Sequence, residues 1–227
     1  MAEQPWLEQF KHVSAKTYRQ QAIFFLNAYW KERQSDVEDI WGYVEAMSEL
    51  DEKNGKDGCD LDELKSHVFL EKQGGTMTVL ELRNKLRKMD LDFNKRMAMI
   101  EFLLFKYDED VKDLLKRPQG TDEALNKAQD ALSTAQTEIE KIEGEKQNLI
   151  DESKKPGVKG NRAKNQLQQL LVADQTGLNR MILSAEAAVR TVKKSGTIEA
   201  AGLLWWIERE LEEVRRYKPQ SKGGRSK

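Results

Sequence analysis

The stretch DLDFNKRMAMIE, residues 90–101, spaces its oxygen-bearing side chains as a cation-binding loop does, with apolar residues at helical intervals on either side. Calcium takes six to eight hard oxygen ligands, and the helix–loop–helix site supplies them from its first, third, fifth, seventh, ninth and twelfth positions, the last a bidentate Glu. Asp90, Asp92 and Asn94 fill the first three of these places, Arg96 offers its backbone carbonyl at the seventh, and Glu101 stands at the twelfth. Ala98, at the ninth, has no side-chain oxygen, so water must serve there. Met97 is apolar, as strand pairing with a second loop requires, and Leu86, Met89, Phe102 and Phe105 flank the loop as packing residues. This reading predicts a helix on each side.

The misfit is Lys95 at the sixth position, where glycine normally makes the sharp turn. Holding a non-glycine residue left-handed costs about 1–2 kcal/mol, which is on the order of tenfold in affinity. Lys95 and Arg96 also set positive charge beside the ligands. The expectation is one weak calcium site.

Such loops come in pairs, and DEKNGKDGCDLDEL, residues 51–64, is the candidate partner. Placing Asp57 and Gly58 at its fifth and sixth positions puts Lys53 at the first and brings Glu63 one residue early. A cation at the first ligand position disqualifies the loop as a metal site, so it reads as a degenerate copy that packs against its neighbour.

Apolar residues outside the loops repeat at three and four. Ala22, Phe25, Leu26, Tyr29 and Trp30 form the stripe of a helix from Ser14 to Arg33, and Ile40, Trp41, Val44 and Met47 that of a second. Thr76 reads as the N-cap of a helix carrying Val79, Leu82, Leu86 and Met89. Arg117 to Gly120 break the pattern. Beyond them, Leu125, Ala128, Leu132, Ala135, Ile139, Ile142 and Leu149 make a heptad seam interrupted by Lys146, which ends at KKPGVKG, residues 154–160. The seam resumes from Leu167 to Val192, and a last helix carries Ile198, Leu204, Trp205, Leu211 and Val214. The predicted fold is all-α, with a loop-bearing N-terminal domain (1–117), a three-helix bundle whose second helical region is proline-kinked (118–217), and a mobile basic tail (218–227).

Charge is unevenly shared. Residues 1–117 hold 19 Lys or Arg against 23 Asp or Glu, whereas residues 153–227 hold 16 against seven. The basic end selects an acidic partner: nucleic acid, anionic membrane or an acidic protein surface. The first two are disfavoured because no aromatic residues interleave with the basic ones; Trp205 and Trp206 sit beside acids in WWIERELEE. Lys154, Lys155, Lys159, Arg162 and Lys164 are a cluster with no acid among them. His12 and His67 have no nucleophile or metal-ligand spacing nearby and GVKG is too short for a phosphate loop, so no enzyme and no small-molecule substrate are expected. One cysteine, Cys59, fits a reducing compartment.

Five segments, QQAIFFLNAYW (20–30), DLDFNKRMAMIEFLLFKY (90–107), ESKKPGVKG (152–160), ILSAEAAVRT (182–191) and WWIERELEE (205–213), come in the same order as in the calcium-regulated actin-bundling protein family of amoebae, which the chain resembles along nearly its whole length. The resemblance implies a protein of the cytoplasm and cytoskeleton that bundles filamentous actin, with calcium inhibiting the bundling. It places the metal on Asp90, Asp92, Asn94, Arg96 and Glu101, and it departs from the family at Lys95 and Ala98, where Gly and a hydroxyl are usual. It places the strongest actin contact from Pro156 to about Ala185, so the candidate actin-binding residues are Lys154, Lys155, Lys159, Arg162, Lys164, Gln168 and Leu171. The alternative function is a calcium sensor or buffer whose helical domain binds a protein other than actin.

Overall fold

A computed structural model describes residues 5–74, 78–120, 123–171, 176–195 and 200–216. The chain divides into two compact units, Met1–Thr121 with Glu199–Leu203, and Asp122–Ile198 with Leu204–Lys227.

In the first unit the helix expected from Ser14 to Arg33 begins later, as α2 (Tyr18–Arg33), and Ser14 instead ends a separate helix, α1 (Pro5–Ser14). The break is set by Thr17, whose hydroxyl accepts the Gln20 N–H while the Gln20 side chain accepts the Thr17 N–H, a reciprocal cap that fixes where α2 begins. Then follow α3 (Val37–Leu50), α4 (Glu63–Gly74), α5 (Val79–Met89), α6 (Met99–Tyr107) and the short α7 (Val111–Lys116). The cap of α5 is Thr78, reciprocated by Glu81; Thr76, the expected cap, lies outside the described residues. Trp41 is buried and Trp30 half-buried. Tyr43, Phe69 and Phe102 form an edge-to-face cluster with ring centroids 4.9–6.3 Å apart. Such pairs contribute about 0.5–1.5 kcal/mol each beyond their burial.

Two devices close this unit. Arg117 stacks its guanidinium 4.1 Å from the Tyr29 ring centroid and donates to the Ala28 carbonyl, Glu32 and Asp113. Residues 200–203 return from the far end of the chain: the Leu203 N–H donates to Asn27 Oδ1. A Cβ on Gly202 would sit 2.7 Å from the Leu26 Cβ and 2.8 Å from the Asn27 nitrogen, so only glycine lets the backbones approach this closely.

The second unit is built on α8 (Glu123–Ser153), 31 residues and about 46 Å long at 1.5 Å per residue. Its predicted seam is the buried stripe: Leu125, Ala128, Leu132, Ala135 and Ile139 are buried, and Ile142 and Leu149 half-buried. Pro156 lies in the turn that ends α8, where Gly157 takes φ +88° and α9 (Val158–Leu171) packs back on α8. A Cβ on Gly160 would lie 1.9 Å from the Lys155 carbonyl oxygen, so the turn needs that glycine too. Next comes α10 (Thr176–Ser195), which packs on α8 through Leu178, Ile182, Ala185, Val189 and Val192. The last helix, α11 (Ala201–Arg216), is tied to α10 by the Lys193–Glu208 and Arg215–Glu186 ion pairs. The buried tryptophan of α11 is Trp206, which donates to Glu210, and the expected Trp205 is half-buried; Ile198 and the tail at 218–227 lie outside the described residues. Among the described residues no helix is long and apolar enough to cross a membrane.

Candidate metal centre and basic helix

The loop of residues 90–101 joins the end of α5 to the start of α6. Asp90 closes α5, its N–H bonded to the Leu86 carbonyl, and Glu101 lies in the first turn of α6. Asp90, Asp92 and Glu101 each bring a carboxylate oxygen within 4.8 Å of the others. Backbone N–H groups orient the set. Asp92 accepts from the Asn94 backbone and side-chain amides, Asp90 Oδ2 from the Lys95 N–H, and Asn94 Oδ1 from the Arg96 N–H at 2.6 Å. Glu101 is fully buried and accepts from the Leu91 N–H at 2.8 Å and the Ala98 N–H at 3.0 Å, one on each oxygen.

These residues fit a hard cation on two grounds. Asp90 Oδ1 is buried with no hydrogen-bond partner among the described residues, and a bare buried carboxylate oxygen is costly without a ligand. Burial pushes the Glu101 carboxyl up to about 8 against its two N–H donors, and the charges of Asp92 and Asp90 add to the rise. A divalent cation reverses that repulsion.

Lys95 takes φ +61°, the left-handed turn expected at that position, and Phe93 does the same at φ +62°, which the sequence did not signal. Arg96 is drawn off to Asp60, with Nε 2.5 Å from Oδ1, so its charge opposes a cation less than its place in the loop implies. The exposed Lys95 is the remaining cation beside the site. Lys95→Gly is therefore expected to tighten calcium about tenfold, through about 1–2 kcal/mol of relieved strain; calorimetry with calcium on both proteins measures it.

Two supports were not legible in the sequence. Ser14, at the end of α1, donates its hydroxyl to Asp92 at 3.2 Å. Gln21, fully buried on α2, donates to the Ser14, Lys16 and Cys59 carbonyls and accepts the Ile100 N–H, which pins both loops to the helical core.

The upstream loop is paired with this one through two-residue strands, β1 (Asp60–Leu61) and β2 (Met97–Ala98), antiparallel with Leu61 opposite Met97. That register corrects the alignment read from sequence. Lys65, four residues after Leu61, takes the place that Glu101 holds four residues after Met97, and neither Glu63 nor Lys53 is at a ligand position. The Asp51 carboxylate, buried at the end of α3, is engaged by protein donors instead: the Tyr18 hydroxyl at 3.1 Å and the Asn54 backbone and side-chain amides. Burial pushes the Asp51 carboxyl up, but the Asn54 and Tyr18 hydrogen bonds and the Lys65 charge hold it below the usual carboxylate range. A Cβ on Gly58 would lie 2.1 Å from Asp51 Oδ2, so the backbone closes over this carboxylate.

In the second unit, Lys154 and Lys155 sit in the turn before α9, and Lys159, Arg162, Lys164 and Gln168 are exposed along it. Leu171 at its end is 61% exposed, whereas Leu167 and Leu170 are half-buried. The buried face of α9 is Gly160 and Ala163. At about 100° per residue, Lys164, Gln168 and Leu171 share one edge, and Lys159 lies roughly 140° away from Lys164. Lys154 is also paired with Asp151 at 2.8 Å. The candidate residues thus occupy two edges of one helix rather than a single stripe.

A family model described as F actin bundling C terminal matches residues 96–219. A calcium-regulated actin-bundling protein of Dictyostelium discoideum is 32% identical over 265 residues, covering 95% of this chain and 90% of its own. The chain belongs to this family of actin-bundling proteins. The crystal structure of a 34 kDa F-actin bundling protein from Dictyostelium discoideum has the same fold, with TM-score 0.85 at 32% identity over 98% of this chain and 100% of that one. Both the cation loop and the basic helix fall within the shared length.

Proposed function

We propose that this protein binds filamentous actin through α9 and the turn before it, crosslinks filaments into bundles, and is regulated by calcium held by Asp90, Asp92, Asn94, the Arg96 carbonyl and Glu101. The observation that carries the reading is the likeness to a calcium-regulated actin-bundling protein over 95% of the chain, which takes in both the loop and the basic helix. Actin filaments expose acidic surface, and the stretch from Lys154 to Lys164 offers five cations and no acid. Crosslinking needs two filament-binding surfaces on one molecule or one on each of two copies.

Calcium supplies the loop with a charge that holds its carboxylates together. The chain's own part is to carry that event onward: Glu101 stands at the start of α6, whose residues Met99–Leu104 are core of the first unit, so a change at its two oxygens is felt by the packing of the helix. In this reading the upstream loop carries no metal, because Tyr18, Asn54 and Lys65 already serve Asp51. Cosedimentation tests the proposal. At moderate salt the protein is expected in the high-speed pellet with actin filaments, and in the low-speed bundle pellet in chelator but less so in calcium. Protein that stays in the supernatant beside filaments ends the reading.

A further inference from the structure

Lys95 is left-handed at a cost, and an outlier of that kind is a pointer to use. Its side chain lines a cavity of about 380 Å³ bounded by α4, α5 and the loop, within the roughly 300–1,000 Å³ range of small-ligand sites. Arg83 and Arg87 reach the cavity from successive turns of α5, and Lys95 and Arg96 from the loop. Glu63 and Asp90 are its carboxylates, so the lining carries four cations against two acids. Two of the cations are engaged: Arg83 meets Glu63 at 3.4 Å and Arg96 meets Asp60. Arg87 and Lys95 have no ion-pair partner among the described residues.

We infer that this cavity binds a phosphate ester, held by Arg87 and Lys95 with Arg83 and Arg96 beside them. The chemistry selects the ligand class. A phosphate monoester carries about 1.5 to 2 negative charges at neutral pH, which Arg87 and Lys95, the two cations outside the ion pairs, can meet, and a guanidinium fork pairs with phosphate oxygens bidentately. Leu86 gives one apolar wall, and the volume leaves room for a sugar or inositol body beyond the phosphate itself. The pairing of Arg83 with Glu63 does not hold the site shut, because both side chains are 60% exposed and solvent screens such a pair to a weak one. A site of this kind also accounts for a lysine at the loop position where glycine costs least.

The ester could be free in solution or the headgroup of a lipid, and the test separates the two. In excess chelator, so that the calcium loop plays no part, calorimetry is run with inositol trisphosphate on the full chain, on Arg87→Gln and on Lys95→Gln. The same three proteins are spun with phosphatidylcholine vesicles with and without a phosphoinositide. Thermal unfolding confirms that the variants, changed at exposed side chains, remain folded. Binding of inositol trisphosphate by the native chain, weakened about tenfold or more in each variant, supports a soluble ester; binding only to phosphoinositide vesicles, lost in the variants, supports the lipid source. No binding in either arm, or binding that both variants retain unchanged, overturns the inference.

Discussion

Glu101→Gln is expected to uncouple actin bundling from calcium. In the proposed site Glu101 gives two oxygens, and its amide counterpart loses the charge and half of the coordination. Interactions of an ionised group of this kind contribute about 3 kcal/mol, so calcium affinity should fall on the order of a hundredfold. The fold should survive the change, since the amide oxygen can still accept one of the two N–H groups, from Leu91 or Ala98, and the variant no longer buries a charge. Calorimetry with calcium, run beside low-speed sedimentation with actin filaments in chelator and in calcium, reads both halves of the prediction. The variant is expected to bundle equally in both conditions. Bundling that still responds to calcium would move the regulatory site away from this loop.

The parts of this molecule that were legible in its sequence are those where one periodicity dominates. The α8 stripe from Leu125 to Ile139 needs only a spacing of three and four, and the burial follows it. The candidate metal loop is legible because coordination chemistry fixes both the residue types and their intervals, so Asp90, Asp92 and Glu101 stand out without knowing the fold, and their carboxylates come within 4.8 Å of one another. What was not legible depends on contacts distant in sequence. Nothing local marks Gln21 as the residue that bonds both loops, since a glutamine on a helix is usually a solvated one. The return of residues 200–203 beside Asn27 is likewise invisible until the backbones are seen to touch at Gly202. In the upstream loop the glycines and acids fit a twelve-residue pattern in a register that the structure does not adopt. In the structure the register is set by the Leu61–Met97 pairing, an apolar cross-strand contact that outweighs the similarity of polar loop residues. Trp205 and Trp206 are neighbours with nearly equal claims on the stripe, and Trp206, which donates to Glu210, is the buried one.

On the proposed reading the two edges of α9 make separable claims on the filament, and substituting them apart should produce the largest loss of actin binding. In one variant Lys159 and Arg162 become Glu; in the other Lys164 becomes Glu and Gln168 and Leu171 become Ala. All five side chains are exposed, so neither variant removes a buried contact of the α8–α9 packing. A surface read through charge alone should respond to the first variant, with affinity for filaments falling steeply and more so at low salt, where screening is least. A surface centred on an apolar anchor should respond to the second, because a large exposed Leu171 beside polar neighbours is the arrangement in which a few residues dominate an interface. Loss of about 2–4 kcal/mol, thirtyfold to nearly a thousandfold in affinity, is the scale expected of the edge that touches actin. The expectation favours the Lys164, Gln168 and Leu171 edge: it joins one cation, one amide and one exposed apolar side chain on a continuous strip, whereas Lys159 and Arg162 have no exposed apolar residue other than Val158 at the helix start. High-speed cosedimentation across a range of actin concentrations measures both. Equal, small losses in the two variants would mean that the filament is met by another part of the basic region, and the placement of the actin surface on α9 would have to be given up.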